Sequence, residues 1–194
     1  MLCDYPDLYD YGNESSGVGA YCLMCAGGNI NEKNPTHISA YLKRLSGWAN
    51  SITNIQHNQE VLLPAGQNDF AMFAKNSGEY FIVESRMRNG RDVSLPGEGL
   101  AVWHVDEDGN NSNEQRIPTQ HYELSLEQAD GDFRLETTPN QFGDSTDLYG
   151  QANKRFANTT SPNSKWWDGT ASHLDISEIA APGDTVSFRT KLSE

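Results

Sequence analysis

The chain carries five histidines, His37, His57, His104, His121 and His173, and none is followed by a glutamate and a second histidine at helical spacing. Zinc hydrolysis of the HExxH kind needs two imidazoles on one helical face and a glutamate that takes a proton from bound water. No such set is present. His104 sits between Trp103 and Val105 in an apolar run and reads as a hydrogen-bonded structural histidine. Oxygen chemistry is better supplied. Asp106 (in the run Asp106-Glu107-Asp108-Gly109-Asn110), Asp130, Asp144 and Asp147 lie in glycine-containing loops able to wrap a cation, and calcium takes carboxylate and carbonyl oxygens from such loops. Any one of these loops also reads as an ordinary solvated turn. EF-hand spacing is absent, because no glutamate stands at the twelfth position.

All three cysteines, Cys3, Cys22 and Cys25, fall in the first 25 residues. Cys22-Leu23-Met24-Cys25 has CxxC spacing, but a zinc ribbon needs a second pair, and Gly27-Gly28 opposes the helix that a thioredoxin-like site requires. A local disulfide from Cys3 to Cys22 or Cys25 is the expectation. Trp166-Trp167 offers a sugar-stacking platform, but neighbours on a strand face opposite ways, so a core tryptophan beside a turn is the expected arrangement. No serine elbow, phosphate-cradling glycine loop or basic-aromatic patch occurs.

The elements that must position these groups are mostly strands. The 194 residues suffice for a real core, and the net charge of −13 opposes binding to nucleic acid or an anionic membrane surface. No apolar run approaches a spanning helix, and no signal peptide opens the chain. Asn34-Pro35 is placed to start a helix. Ile38, Tyr41, Leu42 and Leu45 then mark one buried face, and Gly47 is placed to end it. The expected helix spans about Thr36–Ser46. Beyond Trp48 short runs predict strands at Val61–Leu63, Phe70–Ala74, Tyr80–Ser85, Leu100–Asp106, Tyr122–Glu127, Leu174–Ile179 and Thr185–Thr190. Phe81-Ile82-Val83 and Leu100-Ala101-Val102-Trp103 are continuous and predict central strands covered on both faces. Thr137–Ser164 shows no period and reads as an ordered surface excursion. The fold expected is α+β, mostly antiparallel and sandwich-like, with one amphipathic helix near the N-terminus and a boundary near residue 50 between a first part, 1–50, and a β-rich part, 51–194.

The first block, Asp4-Tyr5-Pro6-Asp7-Leu8-Tyr9-Asp10 followed by Gly17-Val18-Gly19 and Leu23-Met24-Cys25-Ala26-Gly27-Gly28, resembles the stretch after the HExxH helix in the immune inhibitor A family of secreted bacterial zinc metallopeptidases. The likeness continues in order through Asn34–Trp48, Glu79–Arg86, Gly99–Glu107, Leu126–Gly131, Gly143–Asp147 and Ser161–Ser164. It implies that Asp7 matches the acidic third zinc ligand and Met24 the methionine beneath the metal. It also implies that residues 1–50 are the end of a catalytic domain, with the HExxH segment and any export signal upstream of Met1. The complete protein would then be secreted and would hydrolyse peptide bonds of protein substrates with zinc-activated water. This chain alone, lacking both histidines and the glutamate, is expected to be inactive and to hold no zinc. Within it, Asp7 and Asp10 then read as turn caps and Met24 as core filling. The alternative is a non-catalytic β-sandwich module that binds carbohydrate or protein surfaces.

Overall fold

The computed structural model describes residues 4–112, 116–150 and 154–192. Among them nine strands form two sheets. The first sheet has the order β1 (Ser51–Asn54), β3 (Asp69–Ala74), β4 (Glu79–Arg86), β5 (Gly99–Asp106), β6 (Leu124–Leu126). β1 runs parallel to β3 and every other pairing is antiparallel. The second sheet is antiparallel, in the order β2 (Gln59–Pro64), β9 (Thr185–Leu192), β8 (Leu174–Ser177), β7 (Phe156–Ala157). The architecture is thus β-rich, α+β and sandwich-like, as the short alternating runs predict. No helix among the described residues is long and apolar enough to cross a membrane.

The pleat of β4 and β5 explains why both are buried along their length. Successive side chains point to opposite faces. Phe81, Val83, Leu100 and Val102 enter the core between the two sheets, with Val61, Phe156, Ile176, Val186 and Phe188 from the second sheet. Tyr80, Ile82, Ala101, Trp103 and Val105 enter a second core on the outer face. That face is covered by the N-terminal segment through Tyr5, Leu8, Val18, Tyr21, Ile38, Tyr41 and Leu42. The apolar residues of the first fifty positions therefore share one core with the sheet.

The helix is shorter than its apolar period suggests. α1 covers Ala40–Leu45, and its N-cap is Ser39, whose side chain accepts the Leu42 amide. Asn34 and Pro35 do not start it, because the backbone after them is taken by tertiary partners. The Thr36 amide donates to the Gly27 carbonyl at 3.1 Å, the His37 carbonyl accepts the Leu23 amide at 3.2 Å, and the His37 amide donates to Asp92 Oδ1 at 2.9 Å. Ile38, Tyr41 and Leu42 are buried as the period requires, whereas Leu45 is 47% exposed. Gly47 ends the helix at φ 69°, a conformation that only glycine adopts without strain.

Two strands and a turn of helix, α2 (Arg134–Thr137), were not marked by any sequence period. β1 is half-exposed and β7 has two residues. The aperiodic region from Thr137 to Ser164 is only partly surface, since Leu148, Tyr149 and Phe156 in it are buried. Tyr149 exchanges backbone hydrogen bonds with Leu100 at 2.8 and 3.0 Å, which pins this excursion to β5.

Candidate functional site

Three places hold the residues that chemistry needs. The first is the N-terminal segment around Asp7. Leu8, 1% exposed, anchors the segment in the outer core. Its amide donates to the Met24 carbonyl at 2.8 Å, and its carbonyl accepts the Val18 amide at 3.2 Å. The run carrying Asp7 and the turn carrying Met24 are therefore neighbours, and Met24 packs half-buried against the outer core. The turn is tight because Gly27 has no room for a side chain. A Cβ there would stand 2.1 Å from Thr36 Oγ1 and 2.5 Å from the Cys22 carbonyl oxygen.

The two aspartates of this segment differ sharply. Asp10 is buried and spends its carboxylate on the amides of Gly12, Glu14 and Ser15 at 2.5, 2.7 and 2.7 Å, so it is the turn cap that its residue type suggests. Asp7 caps no turn. Its Oδ2 accepts the hydroxyls of Tyr9 at 3.0 Å and Tyr11 at 2.8 Å. The bond to Asp7 raises both phenols, that of Tyr11 to about 12, so both remain protonated donors at neutral pH. Beside Asp7 lies an open depression of about 370 Å³ lined by Tyr5, Pro6, Tyr11, Asn111 and Glu123.

Cys22 and Cys25 are free thiols. Cys3, the other candidate for a local disulfide, lies outside the described residues. Burial pushes both thiols up, that of Cys25 to about 12, which leaves them protonated and unreactive.

The second place is a group of carboxylates from two loops. Asp130, Asp144 and Asp147 each present an oxygen within 4.8 Å of the others. The Ala129 amide donates to the Asp147 carbonyl at 2.8 Å and joins the loops. Thr146 Oγ1 stands 2.8 Å from Asp130 Oδ2 and 2.6 Å from Asp144 Oδ1. Asp147 Oδ2 accepts the Asp144 amide at 2.7 Å and the Tyr21 hydroxyl at 3.1 Å. Burial, then the charges of Asp144 and Asp130, push Asp147 up to about 6. Arg134 pairs with Asp144 at 2.6 Å on the exposed side. These oxygens are the hard donors that calcium takes. Asp106 does not join them: its carboxylate pairs with His121 Nε2 at 2.8 Å.

The third place was only partly legible, as His104 in an apolar run and the Trp166-Trp167 pair, without the glutamates that join them. His104 is buried on β5, with Nε2 3.2 Å from Glu79 Oε1 and Nδ1 3.5 Å from Glu127 Oε1. Burial opposes its charge, but the two glutamates outweigh burial and raise its pKa. Glu79 is held down to about 2, against burial, by His104, Lys75 and the Trp167 amide. The expectation of a hydrogen-bonded histidine in a strand describes this geometry. Trp167 stacks on both His104 and His121, with centroids 4.9 and 4.3 Å apart. Trp166 is a core residue, stacked on Phe81 at 5.0 Å. Glu136 lies nearby, and burial raises it to about 7. The only sequence signal for Glu79 and Glu127 is a charge abutting an apolar strand, which is too common to single them out.

Compared with models of protein families and with curated proteins, the chain matches none.

Proposed function

We propose that this chain forms the supporting half of the active site of a secreted zinc metallopeptidase, similar to the immune inhibitor A family, and that the protein bearing the HExxH helix hydrolyses peptide bonds. The reading is supported by one observation above all: the Asp7 segment and the Met24 turn lie side by side through the Leu8–Met24 hydrogen bond. That juxtaposition is what a third zinc ligand above a supporting methionine requires, and Asp7, unlike Asp10, is not consumed by backbone amides.

Asp7 would hold the metal through a carboxylate oxygen, a suitable partner for two imidazoles. Bound zinc supplies Lewis acidity and a water of lowered pKa. Tyr9 and Tyr11, as protonated donors, fix the rotation of the Asp7 carboxylate. Met24 fills the space beneath without competing for protons. The same reading assigns Asp130, Asp144 and Asp147 to calcium, which would hold the loop after α2 against the loop after β6.

Zinc dialysis and metal analysis test the reading, together with the encoding DNA read in frame upstream of Met1. The isolated chain is expected to retain no near-stoichiometric zinc, since Asp7 alone is one ligand where three or four are needed. A His-Glu-x-x-His run upstream supports the proposal, and an in-frame stop codon there sinks it. Stoichiometric zinc that is lost on Asp7→Ala would show a site that does not need the helix.

A further inference from the structure

Beside His104, on the sandwich side of the sheet, lies a cleft of about 390 Å³ lined by Arg116, Glu127, Phe133, Asn163, Lys165 and Trp167. Among the described residues, three of these side chains carry a buried polar atom without a hydrogen-bond partner: Arg116 Nε, Glu127 Oε2 and Trp167 Nε1. Buried polar atoms are normally paired, because an unpaired one forfeits its bonds to water. Two donors and one acceptor left unpaired around a single cleft are the complement of a ligand rich in groups that both donate and accept.

Arg116 is the movable part. Its guanidinium lies 3.8 Å from Glu127 Oε2 and, through Nε, 3.8 Å from Glu136 Oε1, at ion-pair range but too far for hydrogen bonds. Its side chain is a quarter exposed and stands between solvent and the buried Glu127 Oε2, so a ligand reaches that oxygen by displacing the guanidinium. It rests on the Phe133 ring at 3.9 Å. Phe133 itself sits at φ 51°, a left-handed conformation that is strained for an aromatic residue. Strain of this kind persists where the surroundings dictate a position, and here it places the ring under Arg116.

We propose that this cleft binds a neutral sugar unit that displaces the Arg116 guanidinium and whose hydroxyls donate to Glu127 Oε2 and accept from Trp167 Nε1. A hydroxyl serves both roles, which suits a wall of mixed donors and acceptor. Arg116 and Lys165 stand against the carboxylates of Glu127 and Glu136, each 3.8 Å from Arg116, so neither a strongly anionic nor a strongly cationic ligand is favoured. Stacking is not the mode of recognition. The Trp167 ring is already stacked with His104 and His121, which leaves its unpaired Nε1 as the group to bond a hydroxyl. The inference is independent of the peptidase reading, since the cleft shares no residue with the Asp7 segment.

Saturation-transfer NMR of the chain with D-glucose, D-galactose, D-mannose and N-acetyl-D-glucosamine, followed by titration of tryptophan fluorescence, tests it. At least one of these sugars is expected to bind, and Glu127→Gln is expected to weaken it by about tenfold or more, a loss of ~1.4 kcal/mol. Lys165→Trp, a change at an exposed rim position that leaves the core untouched, is expected to block the mouth and weaken it similarly with an unchanged far-UV spectrum. Absence of binding by all of these sugars overturns the proposal, as does binding that Lys165→Trp leaves unaltered.

Discussion

Lys43 Nζ lies 3.2 Å from Glu84 Oε2, an ion pair between α1 and the middle of β4 in which both side chains are almost fully buried. Glu84 Oε1 also accepts the Ala40 amide, the Trp103 indole and Arg86 NH1 at 3.1, 3.0 and 3.2 Å. Arg86 in turn binds Asp92 at 2.8 Å and the Tyr21 carbonyl at 3.0 Å. One carboxylate thus ties the helix, the sheet and, through Arg86, the turn carrying Met24 into a single register. Burial opposes the charge of Glu84, but Lys43 and Arg86 prevail and hold its carboxyl below the usual range.

Glu84→Ala is expected to destabilise the protein by about 3–5 kcal/mol, because it strands Lys43 and Arg86 in the core. Urea unfolding measures this. A loss within the error of the extrapolation would show that the network is dispensable. The stability that Glu84 and Asp92, both held low, contribute is fully present above the ordinary carboxylate range. It is lost as pH falls through their depressed values.

Glu136 carries the opposite sign. Burial raises it from 4.5 to about 7. The folded state therefore binds the extra proton between those values, and stability falls as pH rises through that window. Replacing the group by a neutral amide removes the loss. Glu136→Gln should gain on the wild type by on the order of 3 kcal/mol between pH 4.5 and pH 7, then hold steady. Parallel melting-temperature profiles for the two proteins across this range would contradict the assignment.

The Met24 turn depends on Gly27. An added methyl would collide with Thr36 Oγ1 and the Cys22 carbonyl, whereas at Gly28 the nearest atom, the Leu23 carbonyl oxygen, is 3.2 Å away. Gly27→Ala should cost at least ~1–3 kcal/mol as overpacking, and Gly28→Ala less. Thermal denaturation of the two variants, compared with the wild type, decides whether the turn is as tight as its contacts imply.

Calcium should raise the melting temperature if Asp130, Asp144 and Asp147 act together. An ion that binds only the folded state stabilises it by ~2.7 kcal/mol at a hundredfold excess over its dissociation constant. The shift between calcium and chelator should vanish in Asp144→Ala/Asp147→Ala. Coincident wild-type curves in calcium and in chelator would reduce these aspartates to solvated turn residues.

Local pattern sufficed for the β-rich class, for the central strands β4 and β5 and for Gly47 as the helix end, because alternation, continuous apolar runs and positive φ are properties of a few adjacent residues. It also offered Asp106, Asp130, Asp144 and Asp147 alike as oxygen donors, since aspartates in glycine-containing loops are visible in one line of sequence. Tertiary structure decided what those residues do. Asp106 shares the sequence context of the other three but pairs with His121, fifteen residues away. Asp7 and Asp10 have the same residue type three positions apart, yet one is spent on amides and the other is held by tyrosines, a difference set by how the chain turns at Gly12. Helix α1 starts late because Gly27, Leu23 and Asp92 compete for the backbone of Thr36 and His37. The cleft at Arg116, Glu127 and Trp167 shows in the sequence only as the Trp166-Trp167 pair, because its other members come from separate segments and acquire their unpaired atoms only when the sheet and its loops bury them together.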